Sequence, residues 1–323
     1  MLSRRDLLIG ATAGAALLAR RPTNVRAAAS QPSTPVRFPL PAGACDCHTH
    51  IFGDPRHFPQ AADRVYTPEP ASIEEMRALH RALRMERVVI VQPSIYATDN
   101  ACTLDAVRQL GSRARAIAVI DDKVSAAALD AMHDAGVRGI RINLATSGQT
   151  DPAAARHRLQ TAGEQLKGRP WHIQMYTTLP IVDAIRNQVA ASPIPVVFDH
   201  FGGAQASLGM GQPGLDALLT LVRSGKAYVK ISGAYRSSNA PPDYADVAPL
   251  AKALIAANLQ RIVWGSDWPH PDSSKVAGRA ATDVAPLQPI DDGRLLNQLE
   301  TWAPGAAQRK TILVDNPARL YDY

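Results

Sequence analysis

Two histidines one residue apart, His48 and His50 in Asp46-Cys47-His48-Thr49-His50, stand at an early apolar-to-polar switch of this 323-residue chain. Near the other end, Trp264-Gly265-Ser266-Asp267-Trp268-Pro269-His270 answers them. Successive side chains of a β-strand alternate between faces, so a His-x-His pair puts both imidazoles on one side. If both segments are strands of one closed barrel, two imidazoles and a carboxylate converge on one mouth, where they can bind a metal ion or polarise a carbonyl. The competing reading is two unrelated surface histidines beside a helix-capping aspartate. The strand-like runs between the two segments favour the first.

Those runs are the elements that must position the chemistry. Stretches rich in Val and Ile at 44–51, 87–92, 114–120, 137–143, 171–176, 195–200, 227–232 and 261–266 read as eight buried parallel strands. Helical segments alternate with them. Ser72-Ile73-Glu74-Glu75 is a capping box that opens a helix to about residue 85, Asn100 caps one closed by Gly111, and Ser125 opens one closed by Gly136. Asp151-Pro152 begins the next, and helices near 179–191, 213–222, 245–257 and 304–314 complete the alternation. The expected architecture is a single-domain (β/α)8 TIM barrel over residues 30–323. An open doubly wound sheet is the nearest rival, and the lack of a glycine-rich phosphate turn after the first strand counts against its dinucleotide-binding form.

Residues 1–29 are expected to be a cleavable export leader. Arg4-Arg5 precedes an apolar run over 7–19, and Ala27-Ala28-Ala29 offers small residues for cleavage. The run is short for a membrane span of about 20 residues, and the paired arginines favour the twin-arginine route over an ordinary secretory leader. A periplasmic protein without a stable membrane anchor is the expectation. The leader holds Arg4, Arg5, Arg20, Arg21 and Arg26 against Asp6, which is four of the six formal positive charges, so the remainder is near +2. No nucleic-acid partner is implied, because no basic stripe or aromatic ladder remains. Cys45, Cys47 and Cys102 read as small buried thiols, not a disulfide framework.

Polar residues collect where the strands run out: Ser94 and Tyr96 after the second, Arg138 and Arg141 along the fourth, and His172 and Tyr176 on the fifth. His200 ends the sixth, Lys230 and Arg236 mark the seventh, and Asp267 and His270 end the eighth. At these residues the chain resembles the amidohydrolase superfamily, in the lactonase-rich branch related to 2-pyrone-4,6-dicarboxylate lactonase. The resemblance is carried by His48-Thr49-His50, Gln92-Pro93-Ser94-Ile95-Tyr96, Gly139-Ile140-Arg141, Asp199-His200-Phe201-Gly202, Ser232-Gly233-Ala234-Tyr235-Arg236 and the Asp267 segment, in that order.

It implies a hydrolase that opens a lactone, with His48, His50 and His200 polarising the carbonyl and Asp267 activating water. Ser94, Tyr96, Arg141, Tyr176, Arg236 and His270 are the implied substrate contacts, although either arginine could instead form a structural salt bridge. The cofactor expectation is none or one divalent ion, Zn²⁺ or Mn²⁺, bound weakly if at all by His48, His50, His200 and Asp267. His172 would join if its phase on the fifth strand points inward. Lys230 sits at the wrong place for a carbamylated bridge between two ions. One departure stands out: the dicarboxylate lactonase carries arginine three residues after the sixth-strand histidine, where this chain has Gly203, so a mono-acid or sugar-type lactone is the expected substrate. A lactone isomerase, a metal-dependent non-oxidative decarboxylase and a solute-binding protein are the alternatives on the same barrel. Three long loops, 52–70, 201–212 and 273–293, leave the same end and are candidates for covering the mouth.

Overall fold

The computed structural model describes residues 29–274 and 277–323. The leader expected over 1–29 therefore lies, except for Ala29, outside the described residues. Among these, eight parallel strands follow one another around a sheet: β1 (Cys45–Thr49), β2 (Arg87–Val91), β3 (Ala114–Ala118), β4 (Val137–Asn143), β5 (His172–Tyr176), β6 (Val196–Phe198), β7 (Ala227–Ser232) and β8 (Ile262–Gly265). The sheet closes just beyond β8, where Asp267 N donates to His48 O at 2.8 Å and His50 N donates to Trp268 O at 2.8 Å. Buried Asp46 reinforces this seam, because one carboxylate oxygen accepts from the backbone N–H groups of both His48 and Ser266. Hydrogen bonds across the seam are what make β1 and β8 neighbours.

Each expected strand is present within a few residues of its reading. Their Val- and Ile-rich composition suits strands covered on one face by barrel side chains and on the other by helices. The helix Ile73–Leu83 shows how the outer layer forms: Ser72 and Glu75 make the reciprocal capping box, and Ile73, Met76, Leu79, His80 and Leu83 bury one face. Asn100 behaves differently from its reading. It makes no cap bond, and its side chain bridges Val119 N and O at 2.9 and 2.8 Å, while Asp99 receives Ala101 N. A neighbouring carboxylate satisfies the helix end, which frees the amide to tie the loops after β2 and β3. The last expected helix is also broken into Ala306–Lys310, a π-turn at Thr311–Asp315 and a helix at Asn316–Tyr321.

The two ends of the barrel differ. At the N-terminal end, buried Tyr321 and the terminal Tyr323, whose hydroxyl donates to Val88 O at 2.6 Å, close the floor. At the C-terminal end, short parallel strands Thr67–Pro68 and Val284–Ala285 join the loops after β1 and β8, and Leu287 N donates to Glu69. The three cysteines are buried thiols, and no described helix is long and apolar enough to cross a membrane.

Candidate active site

The imidazoles arrive by three local devices. His48 and His50 share the inward face at the end of β1, with Thr49 between them turned outward to donate to Val89 O. His200 follows β6, where the backbone leaves extended geometry at His200 and Phe201 with φ of 49° and 55°. Asp267 sits on the closing seam with φ of 68°. The result is one cluster. Asp267 Oδ1 lies 3.5 Å from His48 Nε2, 3.6 Å from His50 Nε2 and 3.8 Å from His200 Nε2, and all four residues are buried.

The other carboxylate oxygen is already engaged. Asp267 Oδ2 accepts from the Tyr235 hydroxyl at 2.6 Å and from Arg236 Nε. Gly233 makes this approach work: its φ of +56° starts the short helix Ala234–Ser237, and a Cβ there would sit 3.0 Å from Asp267 Oδ2 and 3.1 Å from His200 Nδ1. Burial alone would raise the Asp267 carboxyl, but the Arg236 guanidinium, then the imidazoles, hold it well below the usual carboxylate range. It is ionised at neutral pH.

Burial also keeps the three imidazoles neutral, with His48 and His50 lowered and His200 at about 4. Their outer nitrogens are occupied. His50 Nδ1 is 2.7 Å from the Val91 carbonyl, an acceptor, so Nδ1 carries the proton and Nε2 offers a lone pair. His200 Nδ1 meets Ser232 Oγ at 3.0 Å, and His48 Nδ1 faces Asp199 Oδ1 at 3.3 Å. Neutral imidazoles so arranged aim nitrogens at a carboxylate oxygen, and His48 Nε2 and Asp267 Oδ1 have no hydrogen-bond partner. A cation satisfies such a set. The separations of 3.5 to 3.8 Å lie close to the edge of a tetrahedron on zinc–ligand bonds, about 3.3 Å for bonds of about 2.0–2.1 Å. His48, His200 and Asp267 form a group able to hold a metal ion, with ligand atoms all within 4.8 Å of one another, and His50 stands beside it.

A narrow cleft lies over the cluster, and Ser94, Arg141, Tyr176 and Arg236 line it with His50, His200 and Asp267. Arg141 is the more loosely held cation: one terminal nitrogen reaches Gln92 O at 3.2 Å, and Nε faces Asp199 Oδ2 at 3.8 Å without a hydrogen bond. Arg236, by contrast, is tied to Asp267.

Three expected contacts lie elsewhere. Tyr96 ends the 3₁₀ turn Ser94–Tyr96 that follows β2, and its hydroxyl accepts from Gly53 N beneath the first loop. His270 is fully buried and pairs with Asp292 at 3.0 Å, edge-on to Tyr235. His172 has the inward phase but the wrong depth: it precedes Tyr176 by four residues, about 13 Å along a strand, and packs on Tyr321 at the floor. Arg138 turns outward to His133 O.

Sequence reasoning missed Tyr66, Thr146 and Ser273 as lining residues. Tyr66 and Ser273 ride on the strapped loops, so loop length was the available signal. Asn143, on the inward face of β4, also lines the cleft.

Four buried neutral histidines set the pH dependence of stability. His200 at about 4 and His172 at about 3, with His48 and His50 also lowered, bind fewer protons folded than unfolded below the ordinary 6.5. Stability therefore rises with pH between about 4 and 6.5. The lowered Asp199 and Asp267 carboxyls extend the same slope below about 4. A thermal midpoint that climbs from pH 4 to 6.5 and then levels is expected; a midpoint flat across that window would contradict the neutral, buried assignment.

Eight parallel strands with a histidine- and carboxylate-bearing mouth define a barrel of the hydrolase class. The chain belongs to the amidohydrolase family, whose model matches residues 45–323. It is 36% identical over 290 residues to a 4-sulfomuconolactone hydrolase of Hydrogenophaga intermedia, covering 89% of this chain and 91% of that one. It is 29% identical to a D-galactarolactone isomerase of Agrobacterium fabrum, covering 87% and 92%. A crystal structure of a Pseudomonas putida protein described as a 2-pyrone-4,6-dicarboxylic acid hydrolase superposes with a TM-score of 0.70 at 32% identity, over 88% of this chain and 98% of that one.

Proposed function

We propose that this protein hydrolyses a lactone bearing one carboxylate or a sugar-acid ring. The observation that carries the reading is the convergence of three imidazole nitrogens on the donor-free oxygen of Asp267, beneath a cleft that a loosely held arginine, Arg141, lines. The names of its relatives support lactones as the substrate class. Water attacks the ring carbonyl carbon and gives its proton to Asp267 Oδ1. The tetrahedral adduct then expels the ring oxygen, which takes that proton, and the product is a hydroxy acid.

His48, His50 and His200, completed by Asp267, would hold one divalent ion of the Zn²⁺ or Mn²⁺ kind. When bound it supplies Lewis-acid polarisation of the carbonyl. This goes further than the sequence expectation of weak or no binding, because His50 keeps its proton on Val91 O, away from the centre, and His48 Nε2 and Asp267 Oδ1 face each other there without hydrogen-bond partners. The twin-arginine leader read over 1–29 places the activity in the periplasm in this proposal.

Gly203 supports a single carboxylate. With φ of +83°, it would put a Cβ 2.4 Å from Thr177 O, so no side chain can reach the cleft from there without moving the backbone. Arg141 is then the principal anion grip. Loss of a charged hydrogen bond costs about 1.5–3 kcal/mol, so Arg141→Gln should raise KM for carboxylated lactones about 10–100-fold and leave neutral lactones nearly unchanged. An equal effect on both would remove Arg141 from recognition.

A panel of mono-acid, dicarboxylate and aldonic lactones, followed with a pH indicator, tests the reading. Proton release with mono-acid or aldonic lactones is expected. Conversion without proton release would favour an isomerase, the reading the galactarolactone relative raises, and preferred turnover of the dicarboxylate would refute the single-carboxylate assignment.

A further inference from the structure

The mechanism leaves unused a fully buried lysine one layer below the cluster. Lys230 Nζ lies 2.8 Å from Cys47 O, 2.6 Å from Gln174 Oε1, 3.4 Å from His48 Nδ1 and 3.6 Å from Asp199 Oδ1. It lies too deep to touch a substrate in the cleft, which is lined by residues one layer higher.

We propose that Lys230, Gln174 and Asp199 are positioning residues that hold the proton of His48 on Nδ1 and so keep Nε2 a lone pair facing the cluster. The argument is donor and acceptor accounting. Two hydrogens of Lys230 are committed to oxygens that only accept, Cys47 O and Gln174 Oε1. That fixes the Gln174 amide, so its NH₂ must face Asp199 Oδ2, at 3.0 Å. Asp199 is thereby turned with Oδ1 toward His48 Nδ1 at 3.3 Å, and Oδ1 has no closer donor. A proton on Nδ1 satisfies that oxygen. A bare Nδ1 would have to take the third Lys230 hydrogen at 3.4 Å and would still leave the Asp199 Oδ1 lone pairs facing it without a donor.

The groups facing His48 from the surrounding strands agree with this placement. Asp267 and His200 lie on its Nε2 side, and Arg141 approaches Asp199 Oδ2 at 3.8 Å, so no other acceptor competes for the Nδ1 proton. The same chain explains a lysine and an aspartate retained together where an apolar pair would pack without the cost of burying two charges. His50 and His200 have their outer nitrogens fixed by single partners, Val91 O and Ser232 Oγ. His200 leans on one hydroxyl, whereas the His48 proton depends on side chains from three strands.

This inference rests on the metal reading above for its consequence, but not for its first observable. Two-bond ¹⁵N–¹H spectra of ¹⁵N-histidine-labelled full-length protein, stripped of metal, report the tautomer of each imidazole, and the His48 signal is assigned by its loss in His48→Gln. The wild type should show His48 protonated on Nδ1. Lys230→Met and the charge-neutral Gln174→Met should each convert it to the Nε2–H form or a mixture. Zinc affinity, measured by competition with a chromogenic chelator, should weaken about 10–100-fold in the same variants.

Gln174→Met removes no charge and keeps side-chain length, so it serves if Lys230→Met does not fold. A wild-type Nε2–H tautomer, or an unchanged tautomer with unchanged zinc affinity in the folded variants, overturns the inference. Failure of the wild type to bind zinc would instead refute the metal reading, with the tautomer still decided by the spectra. Failure to turn over any lactone would refute the assigned reaction alone.

Discussion

Asp267→Asn should lower kcat by about 10³-fold, within the 10²–10⁴ span of a positioned general base, while the protein stays folded. The asparagine carbonyl can replace Oδ2 as acceptor for Tyr235 and Arg236, so the two bonds that fix the side chain survive. What changes is the other atom. An NH₂ group would stand where Oδ1 now faces three imidazole nitrogens, donating where a proton must be received. The loss should appear in kcat more than in KM, because substrate recognition falls to residues such as Arg141 and Ser94. Tyr235→Phe is the control: it removes one donor to Oδ2 and keeps the base, so a loss of about tenfold or less is expected. A folded Asp267→Asn protein within tenfold of wild type would end the assignment of this carboxylate as the base.

Stripping metal with a chelator should abolish most of the remaining turnover. Several kcal/mol of charge stabilisation correspond to about 10²–10³-fold in rate, and one equivalent of Zn²⁺ or Mn²⁺ should restore it. The reason lies in the proton inventory. His50 Nε2 cannot donate to a carbonyl oxygen while its Nδ1 proton is held by Val91 O, and burial keeps all three imidazoles from taking a second proton. Direct hydrogen-bond polarisation would require either that protonation or His48 or His200 in the Nε2–H form. Elemental analysis showing under a tenth of an equivalent of metal in a chelator-treated enzyme of undiminished activity would reverse this argument and assign the polarisation to the imidazoles themselves.

The barrel was legible because its signal is local and repeated. Val- and Ile-rich runs bounded by caps such as Ser72 and Asp151 recur eight times, and a strand's two-residue period places His48 and His50 on one face whatever the rest of the chain does. The same period gave His172 its correct inward phase. Depth was not legible, because how far down a barrel a residue lies depends on stagger between neighbouring strands, and that turned a candidate ligand into a floor residue against Tyr321. Tyr96 lies elsewhere because Ser94–Tyr96 winds into a 3₁₀ turn and its hydroxyl accepts from Gly53 N beneath the first loop.

From the sequence alone came the number and order of the strands and the pairing of the first two imidazoles, which depend on residue types and short-range periodicity, while the third histidine and the carboxylate were implied by the motifs that resemble the amidohydrolase superfamily. The tertiary structure alone decided that His50 keeps its proton on Val91 O, that Arg236 serves Asp267 while Arg141 is held only by Gln92 O and a more distant Asp199, that Tyr66 is carried over the cleft by a strap of two loops, and that Lys230 stands beneath His48. These are relations between side chains separated by up to two hundred residues. Their donors and acceptors choose partners only after the sheet closes, when burial forbids water from answering for them.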